Sequence, residues 1–414
     1  MKKIRRWKYL DKIYKALEKE KLVLLLWPIQ VGKTTLLLTI KEETNLPVYY
    51  YSFEDEFSRL EFKNKLDFIN FFQTTLNVDF YSDGLFLLDE FQYVKQNTKI
   101  LKSLYDDKEI KIKFIVTCSW IWSMKEDQSS LVGRWEEIFV WGFDFFEFLE
   151  TKWLNLKDFK IENYTFSLEN VFFDYYKEFI KYGAYPAVVL AKSQEEKILN
   201  LQKIIQKYIE KDVWFFLLGQ ELIDFKKFFI YLTWWIWNLV KVEAISDYLW
   251  IKVNTVKKFL NILDKTLFIH FVYPFFTDKS KEYTKHPKIY FHDIGVINFL
   301  NKNFNNLDYC KLNENMIFTE LLKNKLFNSD EIKIYKKISK SEIDFIYDGL
   351  TRFVPIEVKS NNSIQIPKIF YSFEKQYWEK VNFYVRTTQN KLEIKNLDSK
   401  KIYFIPNYLV GKIF

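Results

Sequence analysis

Residues 22–37 read Leu-Val-Leu-Leu-Leu-Trp-Pro-Ile-Gln-Val-Gly-Lys-Thr-Thr-Leu-Leu, and this stretch decides the fold. Five consecutive apolar residues suit a strand covered on both faces. A polar turn follows, and from Gly32 to about Glu43 the pattern becomes helical. A strand, a loop and a helix opening on Gly-Lys-Thr-Thr let backbone N–H groups wrap phosphate oxygens, with the helix's positive end assisting. Trp27, Pro28, Ile29, Gln30, Val31, Gly32, Lys33, Thr34 and Thr35 are therefore the candidate nucleotide-binding loop. Lys33 is expected to reach the β- and γ-phosphates and Thr34 to ligate Mg²⁺, so ATP and Mg²⁺ are the expected cofactors. One residue breaks the pattern. Trp27 stands where the signature Gly-x4-Gly-Lys-Ser/Thr places its first glycine.

Outward from this loop, the apolar spacing of Ile13, Tyr14 and Leu17 predicts a helix over residues 8–21. Val48–Phe53, Leu85–Leu88 and Phe114–Thr117 are further strand candidates, and strands alternating with helices over residues 20–145 predict a parallel α/β sheet. The strand at Leu85 ends in Asp89-Glu90. In that position Asp89 would bind Mg²⁺ through water and Glu90 would orient and activate the attacking water. Two acids after an apolar strand are, taken alone, equally a solvated strand end. Their order after the Lys33 loop is what gives them a role. Ser119, just past the next strand, is a candidate contact to the γ-phosphate or the water. Arg134 could stabilise phosphate charge or be an ordinary surface arginine.

Composition bounds the rest. The 414 residues suggest two to four domains, and 28% charged with 49% hydrophobic residues is globular usage that excludes a disordered chain. No apolar run approaches the ~18 residues of a membrane span, so no membrane partner is expected. No apolar segment follows the basic Met1–Arg6 start, which argues against a secretory signal. Cys118 and Cys310 are the only cysteines, which excludes a disulfide framework and suggests a cytoplasmic location. A net charge of +8 permits a nucleic-acid partner without requiring one.

Farther along, residues 148–218 read as mostly helical, broken at Gly183-Ala184-Tyr185-Pro186. Phe225–Phe276 gives helix, helix (242–249), turn, helix (254–263) and then an apolar β-type segment, the order of a winged helix. Asn254–Lys258 would then open the groove-entering helix, with Lys279, Lys281, Lys285 and Lys288 in the wing. A winged helix used only for packing fits the same residues. Past it, Ser341–Phe345 and Pro355–Lys359 lie on two successive β-type segments. Glu357 and Lys359 alternate, so their side chains share one strand face. With Asp344 they form a PD-(D/E)xK arrangement, in which carboxylates hold Mg²⁺ and a lysine polarises water. Glu320, on the preceding helix, is a candidate third carboxylate. The alternative is a hairpin whose acid and base make a weak ion pair.

Taken together, these segments resemble a group of prokaryotic AAA-type ATPases whose C-terminal half is a domain of unknown function with a restriction-nuclease-like fold. The resemblance rests on WPIQVGKTTLL (27–37), FLLDEFQYV (86–94), SLVGR (130–134), YGAYPAVV (182–189), PKIYFHDIGVINFL (287–300), ENMIFTELL (314–322), SEIDFIY (341–347) and PIEVK (355–359), in order along nearly the whole chain. It implies an α/β architecture: an AAA-type P-loop sheet over residues 1–150, a helical region over 151–222, a winged helix over 223–278 and a PD-(D/E)xK domain over 279–414. It also implies ATP hydrolysis; the winged-helix reading makes double-stranded DNA a candidate partner, and analogy with ring-forming AAA-type ATPases makes a homo-oligomer a candidate assembly. Catalytic roles fall to Glu90, Asp344, Glu357 and Lys359, and metal ligation to Thr34, Asp89, Glu320, Asp344 and Glu357. The competing reading is a non-catalytic, nucleotide-switched DNA-binding regulator with a degenerate nuclease domain.

Glycine is scarce, 9 residues against a usual ~7% share, while tryptophan reaches 13. Trp27 stands at the first P-loop glycine and Trp250 at a helix–helix turn that favours glycine, and the resemblance implies glycine or another small residue at Trp120 and Trp237 as well. This motivates the hypothesis that UGA codons read as glycine in the source have been rendered as tryptophan. UGG codons at positions 27, 237 and 250 would sink it.

Overall fold

The computed structural model describes residues 4–54, 61–118, 135–154, 156, 159–236, 238–278, 280, 282, 285–323, 329–337, 341–349 and 352–413. Ser119, Trp120, Arg134, Trp237, Lys279 and Lys281 lie outside the described residues. The chain divides into two compact units, 1–142 with 265–267, and 143–264 with 268–414.

The first unit alternates helices and strands in the order α1 (Trp7–Lys19), β1 (Leu22–Leu26), α2 (Lys33–Glu43), β2 (Val48–Ser52), α3 (Lys65–Leu76), β3 (Leu85–Asp89), α4 (Asn97–Asp106), β4 (Lys113–Cys118) and β5 (Glu136–Phe139). The five strands form one parallel sheet in the order β2-β3-β4-β1-β5. β1 and β3 are buried at every position, which explains why their sequences are continuous apolar runs rather than alternating ones. Phe72 packs edge-on against Phe86 and Phe68 edge-on against Phe91, with Phe68 tilted against Phe86. Because the strands are parallel, all their C-terminal ends open on one edge, where ligands of such sheets gather.

The second unit opens with α5 (Phe145–Thr151), α6 (Phe166–Tyr182), α7 (Pro186–Val189) and α8 (Gln194–Lys207), which runs into a π-helical turn at Tyr208–Val213. Then come α9 (Gln220–Trp235), α10 (Val242–Leu249), α11 (Val253–Lys265), and the antiparallel pair β6 (Ile269–Val272) and β7 (Lys288–Phe291). α12 (Ile294–Leu300) and α13 (Tyr309–Lys323) precede β8 (Ile332–Lys336), β9 (Glu342–Asp348), β10 (Phe353–Glu357), α14 (Lys368–Tyr377), β11 (Tyr384–Thr388), β12 (Glu393–Leu397) and β13 (Lys400–Pro406). These last six strands form a mixed sheet in the order β12-β13-β11-β10-β9-β8. β9 and β10 pair antiparallel, and β10 and β11 run parallel. No described helix is long and apolar enough to cross a membrane.

Candidate active site

The loop after β1 turns on two left-handed residues, Gln30 at φ 61° and Gly32 at φ 95°, and α2 begins at Lys33. Gly32 is required by that torsion. Trp27 is not among the positive-φ residues and is wholly buried, so the first-glycine position makes no left-handed demand here. Among the described residues the indole Nε1–H has no hydrogen-bond partner, and the Lys33 ammonium lies 5.7 Å from the ring centroid. From below, the buried Arg6 guanidinium donates to the carbonyls of Trp141 (2.7 Å), Gly142 (3.1 Å) and Val31 (3.4 Å), tying the loop to the end of the sheet.

Asp89 and Glu90 stand at the tip of the neighbouring-but-one strand β3, both buried. Glu90 takes a left-handed conformation, φ 56°, which turns its side chain away from the strand's alternation. Its carboxylate is ion-paired with Lys33 and accepts from Gln92. Thr117, on β4 between the two acids' strand and the loop strand, links them. Its hydroxyl donates to Asp89 Oδ1 and accepts from the Glu90 N–H at 2.9 Å. Tyr50 Oη donates to Asp89 Oδ2 at 3.2 Å, and burial together with that carboxylate pushes the Tyr50 phenol up to about 12. Cys118 at the β4 tip is a buried thiol, raised by burial and therefore unsuited to nucleophilic work.

In the second unit the β9–β10 pairing brings Asp344 beside Glu357 and Lys359. Lys359 Nζ lies 2.6 Å from Glu357 Oε1, and Asp344 Oδ2 accepts from the Val358 N–H at 2.7 Å. Burial raises the Asp344 carboxyl well above the usual range, and Glu314 and Glu357 push it further. Burial also raises Glu357, against the pull of Lys359. Burial would lower the Lys359 ammonium, but Asp344 and Glu357 outweigh it and hold it up. The helical carboxylate in this cluster is Glu314, which binds Lys288 at 3.0 Å and accepts from Tyr290 Oη at 2.5 Å.

Glu320 does not take the place expected of it. It is buried elsewhere, accepting from the Phe145 N–H at 3.1 Å and pairing with Lys323 at 3.1 Å, so it secures the start of α5. Six residues along a helix is not a whole number of turns, and a substitution of one acid for the other cannot be read from charge alone. Lys288, expected in the wing, stands on β7 and is buried there against Glu314. Among the described residues no three His, Cys, Asp or Glu side chains are arranged to hold a metal ion.

Residues 19–149 match the AAA domain family. That match supports an AAA-type ATP-binding domain in the first unit. Residues 173–307 match a family described as Domain of unknown function (DUF8612), and residues 310–408 match Domain of unknown function (DUF4143). A Walker-type ATPase of Pyrococcus abyssi is a structural neighbour at 15% identity and a TM-score of 0.49, covering 72% of this chain and 96% of its own. Among curated proteins none matches significantly.

Within the AAA segment the structure adds Thr117 to the residues quoted from sequence. Arg6, just before it, is also added. Thr117 carried a signal, a lone hydroxyl in the apolar run Phe114–Val116. Arg6 carried none, because a buried guanidinium in a basic N-terminal run looks like any other surface charge.

Proposed function

We propose that the first unit binds ATP with Mg²⁺ and hydrolyses it. The observation that carries this reading is the meeting of Lys33, Glu90, Asp89 and Thr117 at the C-terminal edge of three adjacent strands. The donor set fits the ion: Thr34 and Asp89 offer hydroxyl and carboxylate oxygens, the hard ligands Mg²⁺ takes. When bound, the ion neutralises charge on the phosphates. Lys33 exchanges Glu90 for phosphate oxygens, and the released Glu90 carboxylate orients water and accepts its proton. Thr117 keeps Asp89 and the Glu90 backbone in place throughout. Ser119 and Arg134 remain proposed contacts to the phosphates, the latter in a homo-oligomer.

The test is a pair of variants. Lys33→Ala should abolish ATP binding in calorimetry. Glu90→Gln should keep binding and slow hydrolysis by about 10²–10⁴-fold, the usual worth of a general base. Hydrolysis at the parent rate in either variant counts against the assignment.

A nuclease-like role for the C-terminal sheet is favoured by one observation, the buried Glu357 Oε2 beside Asp344, which has no hydrogen-bond partner among the described residues. Glu314 replaces Glu320 in this reading. A double-stranded DNA partner is favoured by the three helices α9–α11 followed by the β6–β7 ribbon, the element order of a winged helix. Duplex binding that weakens steeply with salt, without ATP turnover, would favour the regulator reading instead.

A further inference from the structure

The second unit holds a cavity of about 590 Å³ between α6, the start of α8 and the segment after α12, a volume within the roughly 300–1,000 Å³ of small-molecule sites. Five lysines line it, Lys152, Lys177, Lys181, Lys192 and Lys197, against one carboxylate, Glu178. The hydrogen-bonding in the cavity is uneven. Lys152 and Lys197 both donate to Glu178, with Lys152 Nζ 2.8 Å away. Burial would raise that carboxyl, but the two lysines hold it below its ordinary range. Lys177 pairs at 2.9 Å with Asp174, which is not part of the lining. Among the described residues, the Lys181 and Lys192 ammonium groups have no carboxylate within ion-pair reach. Lys181 instead sits 5.3 Å from the Tyr182 ring centroid, and Lys197 sits 5.0 Å from the same ring. Tyr182 stacks on Phe304 with centroids 5.7 Å apart, giving the cavity an aromatic wall.

Ammonium groups gathered around a single, already shared carboxylate repel one another, and an anion relieves that repulsion. Point-charge ammoniums on flexible stems suit phosphate oxygens approached from several directions. We propose that this cavity binds a small polyphosphate-bearing ligand, of nucleoside diphosphate size, separately from the ATP site. The lysines take the phosphates, and the aromatic wall takes the flat organic part when there is one.

The test uses the full chain carrying Lys33→Ala, so that the phosphate loop does not compete, titrated calorimetrically with pyrophosphate and with ADP. Saturable binding of one ligand per chain is expected, weakened about tenfold or more by the pair Lys181→Glu and Lys192→Glu. Because these two lysines are without ion-pair partners, the pair should melt at or above the parent's temperature. Lys181→Arg with Lys192→Arg should retain binding, which separates lost charge from lost fold. ADP binding tighter than pyrophosphate assigns the aromatic wall to the ligand; equal binding assigns only the phosphates. Absence of saturable binding at millimolar concentrations, or equal binding by the Glu pair, overturns the proposal. So does duplex DNA that binds through these lysines while neither small probe does.

Discussion

Thr117 concentrates more of the nucleotide site than its size suggests. Its hydroxyl serves two groups at once, and valine would leave the buried Glu90 N–H and the Asp89 carboxylate each short of a partner. Such losses cost about 1–3 kcal/mol each. Thr117→Val is therefore expected to lower both the urea midpoint and the ATPase rate, with the rate falling by about tenfold or more as Asp89 and Glu90 lose their common tether. An unchanged rate would remove Thr117 from the site. Tryptophan makes the second residue-scale argument. Trp250 is 94% exposed at φ 56°, and Trp153 is 78% exposed at φ 68°. A left-handed torsion costs an L-residue about 1–2 kcal/mol, and an indole as exposed as that of Trp250 returns little for it. These are positions made for glycine. Trp250→Gly and Trp153→Gly are each expected to stabilise the protein by about 1 kcal/mol in urea melts. Destabilisation by either change would contradict the codon hypothesis, to which Trp153 is an addition from the structure.

Two motif segments, at Tyr182–Pro186 and His292–Gly295, form one joint between elements. Gly183, at φ 80°, ends α6, and a Cβ there would come within 2.2 Å of Asp293 Oδ1. Gly295 opens α12, where a Cβ would meet the Tyr182 carbonyl oxygen at 2.1 Å. Asp293 caps α12 through the Val296 N–H at 3.3 Å and accepts from the Ala184 N–H at 2.7 Å. The YGAYP and HDIG stretches thus pack against and hydrogen-bond to one another. Burial raises the Asp293 carboxyl to about 6, against the lowering effect of the Ala184 N–H. Its unfolded value is near 3.9, so the native state holds the extra proton between the two. Stability from this group is complete below about pH 4 and declines as pH rises through about 6. Asp293→Asn should flatten the melting temperature across that interval. A slope that survives the substitution would assign it to other carboxyls.

At the scale of the whole molecule, the ATP and carboxylate sites belong to different units of the chain. Glu357→Ala is therefore expected to abolish any Mn²⁺ binding or duplex cleavage while leaving the ATPase rate within about twofold, as for changes at independent sites. A parallel collapse of ATP hydrolysis would contradict that independence. How much was legible in advance follows the range of the forces involved. Local pattern alone determined the first sheet, because strands buried on both faces must be continuous apolar runs and their tips must carry the polar residues. Lys33, Asp89 and Glu90 stand out as candidates in the sequence because Asp89 ends such a strand, Glu90 follows it, and Lys33 opens the helix one loop after β1. The tertiary structure alone decided that Glu314 and not Glu320 faces Asp344, that Lys288 is buried, and that Arg6 supports the loop. It alone gathered lysines from residues 152–197 around one cavity. A charge's role depends on what lies within a few ångströms of it in space, and that distance is set by packing between elements far apart in sequence.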